Sequence, residues 1–344
     1  MAFFIGYMQR IRIVGGGLSA SILVVQALSE GYAVDWWKSG EPTSSLVAAG
    51  IINPMVLKRL RLILRSEEYM TTAEEFYSDL NLSFKQNLHK RIKLFHILQS
   101  DGEINDWHVK AESTLGNKYL GSICRHALLD KTLGELKSVS WLDSPAFLTA
   151  VEGISSEDLT ISNRLWQKID LKDKVETILC QGWKKDWKAF GIDESGFNPA
   201  KGEVLIIKSN AFPLEDGILH GGVFVLPLGN GLYKIGSTYS WNELDDLPSK
   251  EGLEFLVSEL DKMWKGSYTV IRHMAAVRPT TIDRRPLVGR VTGHSNLSVL
   301  NGMGSRAVLM APLLSLELLN NIFKASPLAH DISPSRFSAK LGSY

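Results

Sequence analysis

The sequence predicts an α/β chain: a parallel sheet flanked by helices, into which an α+β unit built on a mixed or antiparallel sheet is inserted. Three observations predict this. Residues 11–14 form a short β-branched run ending in three glycines, and apolar side chains follow at Leu18, Ile22, Val25 and Leu28 before Gly31. Residues 32–37 are a second apolar run, so the chain opens as strand, tight turn, helix, helix stop and strand, a β-α-β unit whose crossover is expected to be right-handed. Beyond Lys201 the pattern changes to antiparallel β, with runs at 204–207, 223–228 and 232–238 and a Gly229-Asn230-Gly231 hairpin turn between the last two. The tail then returns to alternation, with a strand near 297–300, a glycine-bearing turn and a helix over 311–322.

Between these landmarks, residues 67–80 and 253–264 have amphipathic helical periodicity, and 145–151 reads as a further helix. Residues 91–98 and the region up to Lys137 mix short strand-like runs with polar turns, and 175–180, ending at Gly182, reads as a buried strand of the first unit. The expected division is 10–75 plus 142–200 plus 278–344 for the parallel unit, and 76–141 plus 201–277 for the inserted one. No internal repeat or low-complexity tract interrupts the pattern.

With 344 residues, 44% of them hydrophobic, the chain can bury a large core and has the length of roughly two domains. Thirty-eight Lys plus Arg balance thirty-seven Asp plus Glu, so no global field marks a nucleic-acid or membrane-surface binder, and a small-molecule partner is expected. The two cysteines, Cys124 and Cys180, suit a reducing compartment and form no disulfide framework. The apolar start Phe3-Phe4-Ile5-Gly6-Tyr7-Met8 lacks a basic region before it and a small-residue cleavage site after it, so it reads as an extension and not a signal peptide. No stretch reaches the roughly 20 apolar residues of a membrane span, and a cytoplasmic location is expected.

Gly15-Gly16-Gly17-Leu18-Ser19-Ala20 fits the dinucleotide fingerprint, with Ala20 in its third small position. Gly15 permits the sharp turn, Gly17 lets backbone N–H groups approach a pyrophosphate, and Ala20 lets the helix pack on the strand. Leu18 and Ser19 place the positive helix end toward the phosphates. At the end of the second strand, where an acidic side chain would accept the ribose hydroxyls, stands Lys38. Three explanations stay open: other groups hold the ribose, the register slips, or Lys38 meets a ribose phosphate; an exposed strand-end lysine is the plain alternative.

Ser44-Ser45-Leu46-Val47-Ala48-Ala49-Gly50-Ile51-Ile52-Asn53-Pro54 resembles the segment that passes beside the flavin in the D-amino acid oxidase and glycine oxidase superfamily. Ala276-Val277-Arg278-Pro279-Thr280-Thr281-Ile282-Asp283-Arg284-Arg285-Pro286-Leu287-Val288-Gly289 resembles the segment crossing from substrate domain to flavin. Asn301-Gly302-Met303-Gly304-Ser305-Arg306-Ala307-Val308-Leu309-Met310-Ala311-Pro312 resembles the closing glycine turn and helix. Ile235-Gly236-Ser237-Thr238, with Pro248 and Gly252-Leu253, fits the substrate-domain hairpin and the helix after it. These matches stand in the family's order and cover most of the chain.

The resemblance implies a Rossmann-like FAD-binding domain of the glutathione-reductase type carrying an inserted substrate domain. It implies non-covalent FAD, since neither cysteine matches the attachment position of the sarcosine oxidase branch. It also implies cofactor contacts at Ser45, Ala49, Gly50, Gly182, Gly302, Gly304, Ser305, Arg306 and Ala307, besides Gly15, Gly17, Leu18, Ser19, Ala20 and Lys38. Ser45 would reach ribityl or phosphate oxygens, and the last turn would offer N–H groups to the flavin's pyrimidine edge. Arg278 corresponds to the arginine that pairs with the substrate carboxylate, a role suited to parallel guanidinium donors; the plain alternative is a structural arginine bonded to backbone carbonyls. Departures from the family pattern are Ala307 for a usual glycine, Phe224 for a carboxylate-binding tyrosine, and Ser305 near a second arginine. They leave Arg278 alone among the expected carboxylate partners.

The implied activity is hydride transfer to flavin from a C–N bond of an amino acid, or of a secondary amine carrying a carboxylate, with oxygen or another acceptor reoxidising the flavin. The alternatives are an oxidase trimming a carboxymethylaminomethyl group from a wobble uridine of tRNA, a flavin-binding protein that has lost catalysis, and a nicotinamide-linked protein resting on Lys38 alone. Lys58-Arg59-Leu60-Arg61 reads as a solvated helix face that could attract phosphate. His126 and His273 lack metal or base spacing, no metal is expected, and Trp36, Trp37, Trp183 and Trp187 read as core aromatics.

Overall fold

The computed structural model describes residues 9–338 apart from 42, 184–186, 188–193 and 215, and for 168, 169, 195 and 338 the backbone only. The apolar start at 3–8 lies outside the described residues. The six-stranded sheet that carries the opening motif has the spatial order Leu159–Asn163, Ala33–Lys38, Arg10–Val14, Glu176–Leu179, Leu297–Asn301, Leu287–Arg290. All its neighbours are parallel except the last pair. Helix Leu18–Ser29 follows the first strand, as the periodicity requires, and buries Leu18, Ala20, Ile22, Leu23, Val24 and Ala27. Strand side chains Ile11, Ile13, Val34 and Trp36 meet it in one core with helices Ser66–Phe84, Ser144–Glu152 and Ala307–Lys324.

Helix Ala307–Lys324 begins four residues before its expected start and contains Pro312. Proline lacks an N–H, so the carbonyl four residues earlier, that of Val308, loses its helical partner. Tyr77 from helix Ser66–Phe84 supplies one: its hydroxyl donates to Val308 O at 2.8 Å. Gln26 Nε2 donates to Pro312 O at 2.8 Å from the other side. Residues 304–324 are apolar and long enough to cross a membrane by length and composition, contrary to the sequence reading. Half of that stretch is nevertheless buried inside the fold, where Leu309, Ala311, Leu314 and Leu318 pack in the central core.

The second large sheet has eight strands in the order Thr269–Arg278, Ala200–Lys208, Leu232–Gly236, Phe224–Gly229, Gly217–His220, Lys93–Leu98, Lys131–Leu136, Leu120–His126. It is mixed through one parallel pair, Gly217–His220 beside Lys93–Leu98. The hairpin turn at 229–231 forms where expected, with positive φ at all three residues. The run at 91–98 divides: His89–Arg91 pairs with Ser140–Leu142 in a small separate sheet, and Lys93–Leu98 joins the large one. Strands Leu159–Asn163 and Thr269–Arg278 are not expected from the sequence, although Leu159-Thr160-Ile161-Ser162 alternates. The expected breaks after residues 75, 141, 200 and 277 all fall inside regular elements, because the chain passes between the sheets along continuous strands and a helix.

Lys58 and Arg59 lie in a single 3₁₀ turn and Arg61 in a two-stranded hairpin, not on a helix face. Cys180 is buried and Cys124 exposed, both as free thiols. Trp36, Trp37 and Trp187 are buried as read, and Trp183 is partly buried. Tyr77→Phe should leave Val308 O unsatisfied and cost about 1–3 kcal/mol, read as a lowered urea midpoint at unchanged slope; an unchanged midpoint would show that water replaces the hydroxyl.

Candidate functional site

A cleft of about 380 Å³ opens between the carboxyl ends of the parallel strands and one face of the mixed sheet. Gly15, Gly16, Gly17, Leu18 and Ser19 line it from the first turn, and Gly304, Ser305, Ala307 and Val308 from the last. The two glycine turns, 285 or more residues apart in sequence, therefore face one space. Each starts a helix whose N-cap has no side-chain hydrogen bond, and neither helix has an acid in its first turn. Two positive helix-dipole ends thus lie at the same cleft, as suits an anionic ligand.

At Gly15, with φ of +139°, an added Cβ would run into the carbonyl oxygen of Cys180, so this position cannot carry a side chain. Its N–H donates to Trp37 O at 2.9 Å and Trp36 Nε1 donates to its carbonyl at 2.6 Å, which fixes the turn to the second strand. Ser45 Oγ accepts from Leu18 N at 2.9 Å, so the hydroxyl caps the helix start and keeps its own proton for an oxygen in the cleft. Ala20 is buried within the helix packing and does not line the cleft.

Lys38 is also absent from the lining: its ammonium pairs with Glu152 at 2.6 Å and lies 5.3 Å from the Trp36 ring centre. This corrects its assignment as a cofactor contact, because an ion pair directed at helix Ser144–Glu152 draws it off the cleft, and it removes the basis for a nicotinamide phosphate. Ser39 and Glu41 line the cleft instead.

The last turn also differs from expectation. Gly302 is not in the lining, and its N–H is taken by Asn301 Oδ1 at 2.7 Å. Gly304 N donates to Pro279 O and Arg306 N to Met303 O. Ser305 and Ala307 remain as lining residues at the helix start. The Arg306 guanidinium is withdrawn from the cleft; Nη1 donates to Asn53 O at 3.1 Å, and burial lowers its pKa. It thereby ties the last turn to the segment carrying Ala49 and Gly50, both of which line the cleft. Gly182 lines it too, its carbonyl held by Asn301 Nδ2 at 2.9 Å. Buried Asn301 thus joins two chain segments at the cleft wall.

Arg278 lies at the edge of the mixed sheet, at the cleft. Nη2 donates to Ser237 Oγ at 2.7 Å and, more weakly, to Thr238 O at 3.3 Å; Nη1 donates to Lys201 O at 3.3 Å. Gly202 makes this possible, because a Cβ there would overlap the guanidinium. Among the described residues no carboxylate comes within ion-pair distance of Arg278. Burial lowers its pKa, with only the Tyr239 ring opposing. The backbone bonds of the plain alternative are present, and they leave a buried cation without a counter-charge.

Several lining residues escaped sequence reasoning. Arg164 and Gln181 follow strands Leu159–Asn163 and Glu176–Leu179 directly, so the rule that ligands sit at the carboxyl ends of parallel strands points to both. Arg164 stacks 3.8 Å from the Trp37 ring centre, opposite an Arg12 contact at 4.0 Å. Thr43 Oγ1, Ser144 Oγ and Gln181 Oε1 are buried in the wall without a hydrogen-bond partner. Such atoms call for a polar ligand. His126 and His273 are not in the lining, and no metal cluster occurs among the described residues.

Two helix N-termini, orphaned wall acceptors and donors, and small residues along the connecting segment fit an elongated anionic nucleotide. They define a dinucleotide-binding protein with a second sheet closing the cleft. Residues 146–319 match the DAO family, described as FAD dependent oxidoreductase. The chain belongs to that family, and its cofactor is FAD.

Among curated proteins it is 28% identical over 172 residues to a glycine oxidase of Pseudomonas putida, covering 48% of this chain and 46% of that protein. It is 42% identical over 77 residues to a tRNA 5-methylaminomethyl-2-thiouridine biosynthesis bifunctional protein of Caulobacter, covering 21% of this chain and 13% of that protein. The matched stretches span less than half the length of these relatives. A glycine oxidase structure from Geobacillus kaustophilus has the same fold, with a TM-score of 0.81 at 15% identity over 96% of this chain and 99% of that one.

Gly15→Ala should weaken FAD binding about tenfold to a hundredfold, read as flavin content after dialysis. Lys38→Gln should change FAD affinity by less than about threefold, as expected for a partly exposed ion pair whose ammonium is directed at Glu152; a larger loss would return Lys38 to the cofactor site.

Proposed function

We propose that this chain oxidises the C–N bond of an amino acid, or of a secondary amine bearing a carboxylate, with Arg278 holding the carboxylate. The observation that carries this is the buried, unpaired guanidinium at the cleft shared by the two glycine turns. A carboxylate entering there supplies the missing counter-charge and accepts from the guanidinium N–H groups that the protein leaves free. Ser237 and the Lys201 and Thr238 carbonyls fix the guanidinium plane and so orient the substrate's α-carbon. Bound FAD would supply the hydride acceptor.

A neutral amine lone pair suffices to assist hydride departure, so the proposed step requires no side-chain base. The Gly15–Ser19 turn would hold the pyrophosphate, Ser45 a phosphate or ribityl oxygen, and the Ser305–Ala307 helix start the flavin's pyrimidine edge, where negative charge develops on reduction. The wall orphans Thr43, Ser144 and Gln181 would complete the cradle. The flavin-holding unit would comprise the six-stranded sheet with its helices, and the substrate unit the mixed sheet. Likeness to glycine oxidases supports the amino acid reading.

A tRNA-directed reading draws on the local 42% identity and on the exposed basic turn at 58–61. It requires salt-dependent tRNA binding, and salt-insensitive weak binding would remove it.

Anaerobic mixing with glycine, sarcosine and larger N-substituted amino acids should bleach the flavin; bleaching by none would favour a catalytically inert flavin protein. Arg278→Ala should keep full flavin content and lower the reduction efficiency at least about a hundredfold, in line with loss of a charge pair worth roughly 3 kcal/mol. Arg278→Lys should rescue little, because a compact ammonium cannot keep the Ser237 and Lys201 bonds and meet the carboxylate at once. Loss of flavin in the alanine variant would assign the residue to the cofactor instead.

A further inference from the structure

The mixed sheet continues past the cleft, and its extension carries two aromatic rings. After strand Leu232–Gly236 the chain runs on beside strand Ala200–Lys208: Lys201 N donates to Ser240 O at 2.8 Å, and Ser240 N donates to Lys201 O at 3.0 Å. This bridge sets Tyr239 opposite Gly202, whose face carries Arg278 and looks into the cleft. The contact bears it out, with the Tyr239 ring centre 4.9 Å from the Arg278 guanidinium carbon.

Trp241, two residues on and so on the same face, lies 4.9 Å from Tyr239 between ring centres. Both rings are large and exposed, Tyr239 by 47% and Trp241 by 50%. A buried cation, a half-exposed phenol and a half-exposed indole therefore form one continuous path from cleft to surface. Solvent-facing aromatics in such a row serve recognition more readily than packing.

Resting on the reading that Arg278 holds the substrate carboxylate, we propose that the substrate is an amino acid whose distal substituent is a planar aromatic group, and that Tyr239 and Trp241 are its specificity-determining residues. The charge at this mouth favours a neutral ring over a phosphate chain. Glu243 and Asp245 both approach the buried Lys201, at 3.8 and 2.7 Å. Two carboxylates against one ammonium leave this segment net negative, which disfavours a polyanion. A small amino acid such as glycine would fill the Arg278 end and leave both rings bare.

The test uses the oxidised holoenzyme, titrated with acetate, phenylacetate and cyclohexylacetate while the flavin absorption band is followed. Phenylacetate should bind at least about tenfold more tightly than acetate and more tightly than cyclohexylacetate, the extent two aromatic contacts support. Trp241→Ala and Tyr239→Leu should each remove about threefold to tenfold of that preference while leaving acetate affinity unchanged in the tryptophan variant. In anaerobic mixing, N-benzylglycine should reduce the flavin more efficiently than sarcosine, and Trp241→Ala should level the two.

Equal affinities for acetate and phenylacetate overturn the inference and leave the Arg278 reading standing. Binding of neither carboxylate overturns both. Displacement of phenylacetate by a short single-stranded RNA at low salt, and not by N-benzylglycine, overturns the small aromatic substrate in favour of a nucleic acid.

Discussion

Two open helix N-termini converging on one cleft are the constraint on which the rest of the structure depends. Backbone N–H groups at a helix start cannot be supplied from within the helix, and burying them without a partner is costly. A native protein holds two such ends on one cavity only where a ligand repeatedly fills it. The surrounding contacts serve that arrangement: Trp36 fixes the first turn, Ser45 caps one amide of its helix, and Arg306 ties the last turn to the segment at Asn53. Asn301 joins the same turn to Gly182. The cleft is therefore bounded by chain segments distant in sequence and braced against one another.

The same economy of backbone groups operates in the core behind the site. Pro312 would normally interrupt a helix of eighteen residues, yet the helix continues because Tyr77 occupies the carbonyl that proline leaves open. The N-terminal part of that helix, which faces the cleft, is thus held by a side chain from Ser66–Phe84. Packing of Gln26 against Pro312 O brings in the first helix as well. The helix positions with N-termini at the ligand are set by buried contacts one or two turns away.

Features determined by local chemistry were legible in the sequence. Gly15 to Ala20 announces its turn through residues adjacent in the chain, and Arg278 is marked by the family pattern around it. What the sequence did not disclose depends on side-chain direction and long-range pairing. Nothing local tells that Lys38 swings to Glu152, that Gly302 gives its N–H to Asn301, or that the Arg306 guanidinium turns to Asn53. Strand Thr269–Arg278 was missed because its outer residues are exposed on both faces, which erases the alternation that marks a half-buried strand. The divided run at 91–98 shows the same limit, since two sheets compete for one apolar stretch.

Arg278 shows how the mixed sheet converts fold into chemistry. Taking a guanidinium out of water without an opposing charge is unfavourable, and bonds to carbonyls and a hydroxyl offset only part of that cost. The sheet accepts it by placing Gly202 under the guanidinium, where any side chain would forbid the geometry. The charge is thereby held at one fixed position and orientation, and under the proposed role the free energy lost in folding would be available to an incoming anion. A glutamate in pairing distance would offset that cost and would remove the proposed recognition. Among the described residues no such partner stands near Arg278, although Glu203 and Asp245 lie on neighbouring stretches, where they are taken by Ser249 and Lys201; the proposed binding role rests on that.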